Sequence, residues 1–202
     1  MLNKIQNKQG FSLVELMVAI FVFSVIMTAV VGVFARTASS FKRAKDIQKN
    51  LEDAQYAMNL MAKTIRTSSI VKCDEDICVS SGETYASIRI MDYSQDKCIG
   101  YKIDSASKKL QSSISNDIYT TEPARIKNAI DWCNDLGAGD FSAFSDMASG
   151  YIASGNFYVI PSASGTAGRV TISMEICATA DCAGTEKDKA RIQTTVSLRN
   201  YK

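Results

Sequence analysis

The sequence predicts an α+β protein in which one long N-terminal α-helix carries an antiparallel β-sheet on its C-terminal half. The first sign is an apolar block of 25 residues, Phe11 to Ala35, with a single ionisable group, Glu15, and no proline. Next, from Phe41 to Ile65, apolar residues recur at gaps of three and four, the period of an amphipathic helix. Beyond Ile70, short segments alternate apolar and polar with period two, as half-buried strands do.

The helix begins after a polar leader, Met1 to Gly10, that carries Lys4 and Lys8 and no acid. At about 1.5 Å rise per residue the apolar block spans roughly 37 Å, enough to cross a hydrocarbon core of about 30 Å with some tilt. A cleaved secretory signal would have an apolar stretch of only about 7–15 residues. Val33-Phe34-Ala35 resembles a cleavage site, yet the stretch before it is too long and contains a carboxylate. A buried core helix would show a polar face, and this segment is apolar all round. A plain anchor fits the hydropathy but leaves Glu15 unexplained, because a charge inside the bilayer costs on the order of 2.5–3.5 kcal/mol.

The second half of the helix carries its stripe at Phe41, Ala44, Ile47, Leu51, Ala54, Met58, Met61 and Ile65. Only Gly32 interrupts the helix-forming residues from Phe11 to Arg66, so one rod of roughly 80 Å is expected. Lys42/Asp46 and Lys49/Asp53 are spaced as i,i+4 pairs on the wet side, and Met58 and Met61 read as core filler. Thr67-Ser68-Ser69 ends the helix.

Strands are expected at Ala86 to Met91, Cys98 to Ile103 and, more loosely, Leu110 to Ile114. Arg169 to Ile176 and Arg191 to Arg199 read most clearly and suit a hairpin across a long polar connection. Between the two groups, Tyr119 to Gly168 reads as irregular, with one short helix around Ala124 to Trp132 opened by Pro123. No internal repeat is visible.

Composition excludes more than it assigns. The chain has 202 residues, a net charge of +2, 46% hydrophobic and 22% charged residues, and no histidine. Without histidine there is no Ser-His-Asp or Cys-His nucleophile pair, no imidazole zinc site and no histidine-ligated haem. No P-loop, G-x-G-x-x-G or G-x-S-x-G motif is present, and the chain reads as a non-enzyme. Balanced charge argues against a protein built mainly to coat nucleic acid or an anionic membrane.

Glu15 gains a role if the chain is cut after Gly10. Phe11 would then carry a free ammonium, able to neutralise Glu15 of the same chain or of a neighbour packed alongside. Such a pair in a low dielectric would set the register of helices whose apolar flanks alone would slide. The run Gly10-Phe11-Ser12-Leu13-Val14-Glu15 after a short basic leader resembles the processing site of type IV prepilin-like proteins, which include pilins, minor pilins and type II secretion pseudopilins. The resemblance implies cleavage between Gly10 and Phe11 by a prepilin peptidase, N-methylation of Phe11, and Glu15 guiding insertion into a fibre. It departs in one respect: major pilins often carry a proline in the later half of the apolar stretch, where this chain has Gly32. The closing run from Thr194 to Asn200 is similar to the last strand of J-type pseudopilins.

Basic residues flank both ends of the apolar block: Lys4 and Lys8 before it, Arg36, Lys42, Arg43 and Lys45 after it. The positive-inside rule is therefore a draw. The resemblance and the six cysteines favour an exported C-terminal domain, single-pass in the inner membrane and later part of a periplasmic or extracellular fibre. Cys73 and Cys78, like Cys177 and Cys182, enclose four residues, while Cys98 and Cys133 stand apart. Two C-x4-C pairs could form a four-thiolate zinc site; in an oxidising compartment disulfides are expected instead. Cys73–Cys78, Cys98–Cys133 and Cys177–Cys182 is the simplest of about fifteen connectivities.

The resulting map is leader 1–10, transmembrane and assembly helix 11–35, amphipathic half 36–68 and globular domain 69–202. The expected role is a structural subunit, a minor pilin or pseudopilin. Its partners would be the prepilin peptidase, other pilin or pseudopilin subunits, the inner-membrane assembly platform and membrane lipid. The competing reading is a membrane-tethered binding module outside the cytoplasm that captures DNA or calcium. Calcium would need the loop acids Asp74-Glu75-Asp76 or Asp131, Asp135 and Asp140, which lack EF-hand spacing; no cofactor or metal is otherwise expected. DNA would need a basic patch, and Lys187, Lys189, Arg191 and Arg199 are diluted by Glu186 and Asp188. Trp132 beside Cys133 reads as packing on a disulfide rather than a binding platform.

Overall fold

The computed structural model describes residues 10, 12–74, 76, 78, 82–119, 126–162, 167–180, 182 and 189–198. The chain divides into two compact units, Met1–Lys42 and Arg43–Lys202. Helix α1, Leu13–Arg66, has 54 residues and passes through Gly32 unbroken. It ends where small hydroxyl residues take over: Ser68 Oγ donates to Thr64 O at 2.6 Å, occupying a carbonyl of the last turn.

The second unit is α+β, with nine described strands that pair antiparallel throughout. In one sheet, β1 (Ser68–Cys73), β3 (Ser87–Asp92), β4 (Lys97–Asp104), β5 (Lys109–Ile114) and β6 (Ser145–Asp146) lie side by side in that order. In the other, the order is β2 (Glu83–Tyr85), β7 (Tyr151–Ile160), β8 (Arg169–Cys177) and β9 (Lys189–Ser197). Helix α2, Ile126–Asp135, follows the first meander.

Both sheets share one core with the last turns of α1. Ala54, Ala57, Met58, Met61, Ala62 and Ile65 from the helix join Ile88, Ile90 and Tyr101 of one sheet and Phe157, Val159 and Ile172 of the other. Met61 and Ile65 are fully buried, each contributing about 1.5–3 kcal/mol of transfer free energy. Burial also pushes the Tyr101 hydroxyl pKa up, partly offset by its hydrogen bond with Thr64 and reinforced by the charge of Asp92. A second cluster lies on the opposite face of the five-stranded sheet, where Val71, Met91 and Cys98 meet Tyr119, Ala129 and Cys133 beneath α2.

The helix end is tied to the sheet by Asp92, a buried carboxylate whose Oδ1 accepts from Thr67 Oγ1 at 3.1 Å, Ser94 N at 2.9 Å and Ser94 Oγ at 2.8 Å. Higher up, Asn50 Nδ2 donates to Cys177 O at 2.8 Å, and Asp53 accepts a hydrogen bond from Ser149 Oγ. Gly150 packs closely beside them: a Cβ there would lie 3.0 Å from the Asn50 Cβ and 3.2 Å from its carbonyl oxygen.

Several expectations need correction. There are two sheets rather than one, and the stretch expected to be irregular holds the ten-residue strand β7. A bulge hides β7 from a period-two reading: Ile152 faces Ile176 and Ser154 faces Glu175, so Ala153 is an extra residue. The buried set therefore switches from even to odd positions, Ile152 then Phe157 and Val159. The helical stripe is buried only in part, since Phe41 is 73% exposed and Ala44 is exposed, with burial beginning around Ile47 and Leu51. Helical spacing fixes which side is apolar, not how far a partner surface extends along it. Lys49 and Asp53 form no ion pair; Asp53 turns to Ser149 instead. The short helix begins at Ile126, while Pro123 and Ala124 lie outside the described residues, as do Arg199 and Asn200 of the last expected strand.

Candidate functional site

Of the expected cleavage pair, Gly10 is exposed and Phe11 lies outside the described residues. Two residues on, Ser12 O accepts the Leu16 N–H at 3.2 Å and the helical ladder starts. Glu15 therefore sits in the first turn of α1, where the partial positive charge of the unpaired N–H groups favours an acid. Its side chain is exposed and makes no hydrogen bond or ion pair among the described residues. Beside it Val18, Ala19, Val22, Phe23 and Ile26 line a shallow apolar groove on the same face. The carboxylate is thus the lone charged feature of an otherwise greasy stripe.

Beyond Glu15 the apolar block shows hydrocarbon on every side up to Ala35. An 18-residue window of α1 reaches a mean hydropathy of 2.7 with none of its residues buried. Leu13, Phe21 and Phe34 are each at least 70% exposed, at opposite ends and in the middle of the block. Its hydroxyls are satisfied within the helix: Ser24 Oγ donates to Ile20 O and Thr28 Oγ1 to Val25 O, both at 2.8 Å. Hydrocarbon demands that arrangement, because it offers no competing partner. With length, hydropathy and internal satisfaction agreeing, the segment is built to be surrounded by lipid or by other apolar helices.

In the second unit the six cysteines form disulfides Cys73–Cys78, Cys98–Cys133 and Cys177–Cys182, with Cα–Cα distances of 5.1, 5.5 and 5.4 Å. No thiolate remains for zinc. Cys98–Cys133 fastens α2 to β4 inside the second cluster, and Trp132 packs there with its ring 5.5 Å from that of Tyr119. The acids considered for calcium are spread out. Asp74 accepts from Ala86 N and Ser87 N at 3.0 and 2.6 Å, and Asp140 accepts from Gly137 N at 2.7 Å. Glu75 lies outside the described residues, and among those described no three metal-ligating side chains converge. Of the basic C-terminal residues, Lys187 and Arg199 lie outside the described residues, and Arg191 pairs with Glu175 at 3.5 Å.

Sequence reading missed a set of cations stacked on aromatic rings. Arg89 lies 4.8 Å above the Phe141 ring, Lys102 6.0 Å from Phe144 and Lys109 4.2 Å from Tyr151. The strand alternation that placed Ile88, Ile90 and Tyr101 inward already put Arg89 and Lys102 outward. The rings, however, arrive from a loop and from β7, which the alternation does not reach.

The model of the prokaryotic N-terminal methylation motif matches residues 5–31. The chain thus carries the type IV prepilin-like signal, covering the later part of the polar N-terminal stretch, the Gly10–Phe11 bond, Glu15 and most of the apolar block. No curated protein and no solved structure matches the chain.

Proposed function

We propose that this chain is a minor pilin or pseudopilin, a structural subunit that is cut between Gly10 and Phe11, methylated on the new Phe11 amine and assembled into a fibre. The methylation motif carries the reading, set as it is at the head of a helix whose apolar window buries none of its residues. Residues 1–10 are the leader, 11–35 hold the subunit in the inner membrane and then in the fibre core, 36–68 continue the helix, and 69–202 form the domain outside the cytoplasm. Three disulfides support that orientation, since thiols pair and persist in oxidising compartments. The prepilin peptidase and the assembly platform act on the chain in turn, and other subunits surround it afterwards.

Assembly follows from charge in a low dielectric. An unpaired Glu15 carboxylate among apolar helices is costly, and the Phe11 ammonium of a neighbouring subunit removes that cost at one stagger only. Apolar flanks supply adhesion without register; the ion pair supplies register. Glu15→Ala should therefore leave the protein in the membrane fraction at normal abundance while its recovery in sheared fibres falls at least tenfold. Undiminished recovery of the alanine variant in fibres would overturn the role of Glu15.

A further inference from the structure

An open sheet edge presents backbone N–H and C=O groups that can pair with another chain, and folded proteins guard such edges with charges, bulges or short strands. Of the four edges among the described strands, three carry such guards. β1 is broken by a bulge between Ile70 and Lys72. β2 has three residues and begins with Glu83, and β6 has two, one of them Asp146. β9 is different. Its nine residues pair with β8 in unbroken register, and among the described residues no strand pairs with its other side. From Ile192 to Ser197 it has no charge, proline or glycine, and Ile192, Thr194, Thr195 and Val196 are all β-branched. Such a flat, uncharged, strand-forming run on an open edge is a template for a further strand.

A groove of about 370 Å³ runs beside this edge, with Gln55, Met58 and Asn59 of α1 on one side and Ile192, Gln193 and Thr194 of β9 on the other. Register explains part of its lining. Ile192, Thr194 and Val196 pair with Met174, Ile172 and Val170 of β8, all buried, so they share the core side of the sheet. Met58 is buried and gives the groove an apolar floor, while Gln55 and Asn59 are exposed and give it an amide rim. None of the lining residues is charged. A strand added to β9 would hydrogen-bond through its backbone and drop alternate side chains into this groove.

We propose that the free edge of β9 takes up an extended, uncharged segment of a different polypeptide, with a small apolar side chain seated on Met58 and Ile192. A second copy of this chain is the weaker fit. Successive subunits of a fibre meet through unlike surfaces, so β9 would need an open edge elsewhere on its neighbour. The other described edges are short, bulged or charged. Pairing β9 with β9 instead closes a two-fold dimer, which does not extend into a fibre. This choice of occupant rests on the fibre reading above; the open edge itself does not.

The test is titration of the full chain, in detergent micelles, with a capped peptide of alternating threonine and valine. The peptide is N-methylated at alternate residues, so that only one of its edges can pair; a counterpart methylated at every residue has no donor to offer. Saturable binding is expected, with slowed amide exchange confined to Ile192–Ser197 and with the fully methylated peptide at least tenfold weaker. Thr194→Lys places a charge in the groove, and Asn59→Trp fills it from the exposed side of α1. Each should weaken binding tenfold or more, with melting temperatures near the native value showing that the variants fold. No saturable binding, protection on another edge, equal binding of the fully methylated peptide, or native affinity in folded Asn59→Trp protein would each overturn the proposal. Self-association of the peptide-free chain that protects the same amides would overturn the choice of partner in favour of a second copy. None of these readouts involves the N-terminus, so failure at β9 is distinguishable from failure of the fibre reading.

Discussion

Asp104 closes the turn between β4 and β5 and has one of the most perturbed carboxyl groups in the domain. The Ser107 hydroxyl and backbone N–H, the latter 2.9 Å away, hold its pKa at about 2, with Lys102 adding to the effect. Because the folded value lies below the ordinary one near 3.9, its contribution to stability is complete above about pH 4 and disappears as pH falls through about 2. A carboxyl ¹³C titration should place its midpoint near 2, and Ser107→Ala should move that midpoint up toward the ordinary range. A midpoint already near 3.9 in the native protein would contradict the assignment. Met61 is the other residue with a sharp expectation. It is fully buried between helix and sheets, and Met61→Ala should cost about 2–5 kcal/mol in denaturant unfolding.

Among the elements, α2 is joined to β4 by a covalent tie, Cys98–Cys133. Cys98 and Cys133 are 35 residues apart, whereas each of the other two pairs is separated by 5. On chain entropy alone, the long closure is worth about 4 kcal/mol and each short one about 2. Replacing Cys98 and Cys133 together by serine should therefore lower unfolding free energy about twice as much as replacing Cys73 and Cys78. Equal losses would mean that local strain, not loop closure, dominates. The same elements show what was legible in the sequence. β3, β4 and the β8–β9 hairpin alternate and could be read from the sequence, β5 more loosely. β7 could not, because its bulge at Ala153 breaks the alternation; the three-residue β2 is too short to carry a pattern, and it pairs with β7. Without β7 and β2, only the β8–β9 hairpin of the second sheet is read.

For the whole molecule, legibility was uneven in a way that follows from the physics. The N-terminal site is a linear signal: a bond, a carboxylate four residues beyond Phe11 and an apolar run, all within one helix and its approach. Such a site needs no tertiary structure to be recognised. The groove beside β9 is the opposite case, walled by α1 on one side and by β9 on the other. No spacing in the chain brings Met58 beside Ile192 until the hairpin packs on the helix. The two halves of the molecule also obey different solvents. The apolar block bonds Ser24 and Thr28 internally and exposes hydrocarbon around Glu15, while the unit from Arg43 buries a conventional core and carries all three disulfides.

The central claim is that the mature subunit begins at Phe11, and mass spectrometry of the N-terminal peptide of the protein purified from its own cells tests it most directly. The account predicts a peptide starting at Phe11 with one added methyl group. A chain that begins at Arg36, or one that keeps the leader through Gly10, would contradict it.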